Sequence, residues 1–375
     1  MNSGISKLKT GSCPQNSAGG FHFMNQNLLK MPNTYRIKLA ELKARLGNGA
    51  GIQSKQQLNA FAFFSANLTN FMPAIPYAEH GKLFRQATLN RQWNALDQQF
   101  FKREHPFQLN GWDEDLPVRL KEKPGIICTF HTGSYRLINY LLHRAAVPLA
   151  VLIGEQAQRE QGAFIRQLVT DFRRVGRPTP LDILSANDPK ILFNIKTQLQ
   201  MGKSVVTYMD GYQGAQALNR ENTVRLDFLA QHQLVRKGIP YMAYRFNVPI
   251  YPVMCFRDSD EQLRFICLDA IERQEMPLHL FIEFAIMKIY GAFAAYLQHY
   301  PAQWQNWSTL HLYAQHSDFH FPKSNHPVRT FAQPRPESHA LLALGDEFFL
   351  LDKTSYRAFE LKEKTYRELY GEWYA

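Results

Sequence analysis

The chain has 375 residues, with 43 Lys and Arg against 32 Asp and Glu for a formal charge of +11; 45% of it is hydrophobic, 13% aromatic and 20% charged. That balance excludes disordered, collagenous and disulfide-scaffold proteins, and it allows one large α/β domain with additions or two smaller domains. Cys13, Cys128, Cys255 and Cys267 make no Cys-x-x-Cys pair and no framework spacing, which points to a reducing compartment.

Residues 1–30, rich in Gly, Ser and Asn, read as a flexible basic arm. Residues 1–60 hold eight Lys and Arg against Glu41 alone. No secretory-length apolar segment opens the chain, so a cytoplasmic protein is expected. The arm suits peripheral contact with anionic lipid at the inner face of a membrane, or an acidic carrier protein; a solvated tail that binds nothing fits equally. Residues 31–109 read as a helical extension. Ile37, Leu39, Leu42 and Leu46 recur at near-helical spacing, 56–71 continues with Phe-rich helical character, Pro73 and Pro76 interrupt, and the pattern resumes over 81–107. The stretch 111–124 reads as a surface connection.

Residues 110–312 change character. Short apolar runs at 125–130, 148–153, 204–209 and 248–256 are bounded by Pro, Gly and polar clusters and suit buried strands; helical patterns at 135–144, 162–175 and 189–200 lie between them. The alternation predicts an α/β fold with a mixed, largely parallel sheet flanked by helices. Ligands of such sheets bind beyond the carboxyl ends of the strands, and polar clusters fall there at 131–136, at Glu155 and at 210–214. The apolar stretch 278–297 carries Glu283 and Lys288 near its middle and reads as an amphipathic or buried helix rather than a membrane span. Residues 313–375 read as a small α+β tail: a hairpin of 340–344 and 347–351 around Gly345-Asp346, then a helix that begins at 352–354 and runs to Tyr370.

Several motifs fail on inspection. Gly202-Lys203-Ser204 lacks the glycine a P-loop needs five positions earlier, where Thr197 stands, and a strand follows it. Gly133-Ser134 is no nucleophile elbow, because Thr132 and Arg136 break the pattern. His311, His316, His320 and His326 with Asp318 lack metal-ligand spacing, so no metal site is expected. His131 differs in kind. It ends a buried strand and opens a helix beside Gly133, where a general base can face a cleft and backbone N–H groups can face developing negative charge.

With these residues in view, the chain resembles the lysophospholipid acyltransferase-like superfamily of glycerolipid and lipid A acyltransferases, most closely the late lipid A (lauroyl/myristoyl) branch. The His-x4-acid motif is met in frame by His131-Thr132-Gly133-Ser134-Tyr135-Arg136, with arginine in the acid's place. Met209-Asp210-Gly211 is similar to the turn after the family's third-motif strand, and Val248-Pro249-Ile250-Tyr251-Pro252-Val253 to its fourth motif. Val224 to Phe228, Arg236-Lys237-Gly238, Arg173-Arg174-Val175-Gly176, Pro301 to Trp304 and Trp307 follow in family order, so the likeness covers roughly residues 110 to 310.

The resemblance implies an enzyme in which His131 takes a proton from an acceptor as it attacks an acyl thioester of coenzyme A or acyl carrier protein, with no cofactor beyond that donor. It implies anion contacts at Arg136, Arg225, Arg236 and Lys237 and oxyanion-stabilising amides around Gly133 or Gly211. Arg136 leaves three readings open. Asp210 or Glu155 supplies the carboxylate; or the acceptor is an amine that asks less of His131, with Arg136 paired to an acidic group on donor or acceptor; or the domain is silent and only holds an acyl chain, a carrier or a peptide. Asp210 as a plain Asp-Gly turn, and the basic residues as solvated charge, stand beside these. The family's membrane-spanning first helix has no counterpart in this sequence. The run from Leu351 to Leu361 resembles, over about 35 residues, small peptide-recognition domains of ribosomal-peptide maturation. No nucleic-acid motif accompanies the positive charge.

Overall fold

A computed structural model describes residues 33–47, 54–101, 109–154, 181–211, 221–314 and 333–374, together with Ile52 and Thr170. The basic arm, Glu155, the helix expected at 162–175, the Arg173–Gly176 motif, His316, Asp318, His320 and His326 lie outside the described residues.

Helices α1 (Asn33–Gly47), α2 (Lys55–Phe71) and α3 (Tyr77–Phe101) lead, followed by α4 (Leu116–Glu122). The α4 segment corrects the reading of 111–124 as mere connection: Pro117 sits in its first turn, where a missing N–H costs nothing, and Leu116 and Leu120 are buried. Then come β1 (Ile126–Thr129), α5 (Leu137–Arg144), β2 (Leu149–Ile153), β3 (Leu181–Ser185), α6 (Ile191–Gln200), β4 (Ser204–Tyr208), the hairpin of β5 (Thr223–Phe228) and β6 (Gln231–Arg236), α7 (Gly238–Phe246), β7 (Ile250–Arg257), β8 (Leu263–Cys267) and α8 (Leu278–His299).

Six strands form one sheet in the order β3-β2-β4-β1-β7-β8. Every pair in it is parallel except β7 with β8. This is the mixed, largely parallel sheet flanked by helices that the alternation predicts. Its strands read as continuous apolar runs because both faces are covered. Along β1, Ile126, Cys128 and Phe130 enter one core while Ile127 enters the other; along β7, Met254 and Phe256 alternate with Val253 and Cys255 in the same way. The first core is closed by α2 and α8, the second by α1, α3, α4 and α5. Phe130 stacks on Phe293 of α8 with ring centroids 3.8 Å apart, and burying each such side chain is worth about 1.5–3 kcal/mol.

The α8 helix is long and apolar enough to cross a membrane, but Phe281, Ile282, Ala285, Ile286, Ile289, Tyr290, Phe293 and Leu297 form a buried stripe at helical spacing. Leu280, Phe284 and Met287 stay exposed on its other side. Two 3₁₀ turns, Pro301–Gln303 and Gln305–Leu312, follow.

The tail contains β9 (His339–Leu344), β10 (Glu347–Asp352), β11 (Ala358–Leu361) and α9 (Glu363–Tyr374), with the strands in an antiparallel sheet ordered β11-β10-β9. The helix does not begin at 352–354. The Asp352 carboxylate accepts the N–H groups of Thr354 (2.8 Å) and Ser355 (3.1 Å), which makes a turn, and the chain returns as a third strand before α9 starts. The tail is bound to α2. Asn59 accepts the Ala343 N–H (2.9 Å) and donates to the Ala343 carbonyl (2.8 Å), and the Tyr356 hydroxyl donates to Asn67 (2.8 Å), whose amide reaches the Trp307 carbonyl.

Candidate active site

Parallel pairing sets Thr129 of β1 opposite Tyr208 of β4. Both chains then leave the sheet at its carboxyl edge, and the residues two positions on, His131 and Asp210, emerge side by side. The Met209 N–H closes the step by donating to the Thr129 carbonyl (2.8 Å). His131 Nδ1 meets Asp210 Oδ1 at 2.8 Å, and the His131 backbone N–H donates to Oδ2 at 3.1 Å. Two further donors complete the carboxylate: the Trp304 indole N–H (2.6 Å) and the Asn306 amide (3.0 Å), which also reaches the Asp210 carbonyl (2.8 Å).

Burial by itself pushes the Asp210 carboxyl up, but the neighbouring His131 and the hydrogen bonds from His131 and Trp304 outweigh it and hold the group below the ordinary carboxylate value. An ionised Asp210 can only accept, so the hydrogen-bond pattern assigns the proton of a neutral imidazole to Nδ1 and leaves the Nε2 lone pair free. The His131 side chain is 24% exposed against 3% for Asp210, so the base is reachable and its partner is sealed. The ring lies on Tyr208 (4.6 Å between centroids, 28° between planes) and meets the edge of Tyr135 at 4.9 Å. Behind Asp210, α8 supports the loop through the Tyr290 hydroxyl, which donates to the Met209 carbonyl (2.9 Å).

Gly133 is required by shape. Its φ is +50°, and a Cβ there would come within 2.7 Å of the Cys255 carbonyl oxygen of β7. The Ser134 N–H is spent on the Cys255 sulfur and the Tyr135 N–H on the Thr132 carbonyl (3.2 Å), while the amides of Gly133 and Gly211 make no backbone hydrogen bond among the described residues.

Arg136 stands at the start of α5, half-buried, with its guanidinium 5.2 Å from the Tyr135 ring centroid and a long 3.4 Å contact to Gln98. No carboxylate pairs with it among the described residues. Arg236 lines a cavity of about 20 Å³ with Asp210, Gly211, Trp304 and Asn306, and burial lowers its pKa. That volume holds a water-sized body. Arg225 is exposed on β5, and Lys237 caps the start of α7; neither makes a side-chain bond among the described residues. The Phe-rich 58–72 stretch is core, through Phe64, Leu68 and Phe71.

Sequence reasoning missed the donors that complete Asp210. Trp304 entered only as a family landmark and Asn306 not at all, although the run Trp304-x-Asn306-Trp307 was the available signal: polar hydrogen-bond donors interleaved with large aromatics. Tyr208, at the end of a strand run, was read only as sheet. His311 is structural, buried against Phe63 with 4.1 Å between ring centroids, and burial lowers its pKa to about 4. Among the described residues, no group of three or more His, Cys, Asp or Glu side chains is placed to hold a metal ion.

No protein-family model and no curated protein matches the chain. Among solved structures, it is similar to the crystal structure of the 1-acyl-sn-glycerophosphate (LPA) acyltransferase PlsC from Thermotoga maritima, at 10% sequence identity and a TM-score of 0.34, covering 64% of this chain and 95% of that one.

Proposed function

We propose that this chain is an acyltransferase that moves an acyl group from a coenzyme A or acyl-carrier-protein thioester to a hydroxyl or amine acceptor, with His131 as general base. One observation carries this reading: the 2.8 Å contact of Nδ1 of a partly exposed His131 with a sealed, ionised Asp210, which leaves the Nε2 lone pair outside that bond. In the forward step, Nε2 takes the acceptor proton as the acceptor's oxygen or nitrogen bonds to the thioester carbonyl carbon. Asp210 stabilises the imidazolium that forms, the carbon–sulfur bond then breaks, and the proton passes from Nε2 to the departing thiolate. Arg136 does not disable the pair, because the acid comes from β4, 79 residues downstream. The ordered motifs of the lysophospholipid acyltransferase-like superfamily support the same chemistry, and the late lipid A branch remains the closest resemblance. The Arg136 guanidinium, which has no carboxylate partner among the described residues, suits an anionic group on donor or acceptor. The exposed apolar residues of α8 and the basic first 60 residues suit peripheral contact with an anionic membrane.

A second reading, a silent relative that binds an acyl chain, a carrier or a peptide, draws no support from the cavity lined by Asp210, which at about 20 Å³ is far too small for a fatty chain. One assay separates the two: thiol release from dodecanoyl-coenzyme A in the presence of amine and alcohol acceptors. The enzyme reading expects release that disappears in His131→Ala. Equal release by the variant removes His131 from the chemistry, and no release by the wild-type chain with retained thioester binding favours the silent relative.

A further inference from the structure

A second carboxylate, apart from Asp210, is also buried. Asp97 of α3 is fully buried and accepts hydrogen bonds from the Tyr35 hydroxyl of α1 (2.6 Å), from Ser134 Oγ and from Arg257 Nη2 at the end of β7. The same Arg257 nitrogen donates to Ser134 Oγ at 3.1 Å. The guanidinium rests 3.9 Å from the Trp93 ring centroid, and the Trp93 indole N–H donates to the Tyr35 hydroxyl (2.8 Å). Gln303 grips the Arg257 main chain, accepting its N–H at 2.6 Å and donating to its carbonyl.

Isolated ion pairs at this depth return little stability, because two charges must be stripped of water, and packed apolar side chains do as well or better. What such a web supplies is fixed geometry. It touches the proposed site at two points: Ser134 is three residues beyond His131 in the same turn, and Gln303 directly precedes Trp304, which holds Asp210. From this, and resting on the acyltransferase reading, we infer that Asp97, Ser134 and Arg257 are positioning residues that hold the His131 turn in register with Asp210. The helices ahead of the sheet then form part of the active-site support. Proton transfer tolerates little displacement, and a shift of about 1 Å from outside the reacting atoms can cost about 100-fold in rate.

Ser134→Ala removes one hydroxyl and leaves the ion pair in place. It is expected to keep the far-ultraviolet circular dichroism spectrum and a thermal midpoint near wild type. With dodecanoyl-coenzyme A, KM stays unchanged while kcat falls about ten-fold. In ¹⁵N-labelled protein, the downfield His131 Nδ1–H proton resonance, which reports the bond to Asp210, shifts or broadens. A purely structural web predicts a lower thermal midpoint with that resonance and kcat intact, and this result overturns the inference; so does a rate loss with an unmoved resonance. If Ser134→Ala does not fold, Ser134→Cys, which keeps a weak donor of similar shape, is judged by the same signals. Because the resonance needs no substrate, the inference is decided even if His131→Ala leaves thiol release untouched and the acyltransferase reading falls.

Discussion

Asp210 and Asp97 are both buried, and each accepts at least three hydrogen bonds, yet they do opposite work. Asp210 faces an imidazole that is 24% exposed, so one end of its network reaches solvent and can exchange a proton. Asp97 faces a guanidinium that is 7% exposed and capped by Trp93, so that network is closed to solvent. What a buried acid can do is thus set by its partner's chemistry and access rather than by its own burial.

Substituting each acid is the first way to break this contrast. Asp210→Asn, which keeps the shape but presents an amide where Nδ1–H needs an acceptor, should lower kcat by roughly 10²–10⁴ with a smaller change in stability, read by steady-state thiol release beside urea unfolding. Asp97→Ala should do the reverse in emphasis. It leaves Arg257 charged and unpaired, so unfolding should show a loss of about 3–5 kcal/mol. Acid titration sharpens the comparison. The Asp210 carboxyl is held below its ordinary 3.8, so its contribution to stability is complete above that value and is lost as pH falls through the depressed value. Asp210→Asn should therefore lose less stability than wild type on acidification below pH 3.8, measured by denaturant midpoints across that range. The smallest effect is expected at Arg136, outside both networks. Arg136→Ala should raise KM for anionic substrates by roughly 3–10-fold at unchanged kcat and leave thermal stability near wild type.

The sequence made the frame of the site legible because its two reacting positions follow continuous apolar strand runs, and position after a strand is a sequence property. Strands β3 and β8 escaped because each lies on a sheet edge. Leu181–Ser185 is mostly half-buried, and Leu263–Cys267 carries Arg264 outward, so neither makes an unbroken apolar run. The pairing of His131 with Asp210 rather than with the residue at the motif's acid position came from topology: β4 lies beside β1 although α5, β2, β3 and α6 separate them in the chain. Asp97, Ser134 and Arg257 were invisible for the same reason taken further. Their separations of 37, 123 and 160 residues leave no local pattern, and a buried charge reads from sequence as a surface one. In the tail, the side chain of Asp352 imitates a helix start, and only its turn to Thr354 and Ser355 tells the two apart.

The Asn59 amide lies against Ala343 as a neighbouring strand would, across 284 residues of chain. At a synthesis rate of about 5–20 residues per second, that interval corresponds to roughly 15–60 s. During it, the second helix has left the ribosome while the strand it seals has not yet been made. The face of that helix carrying Leu58, Ala62 and Ala66 must therefore wait uncovered until the tail strands are made.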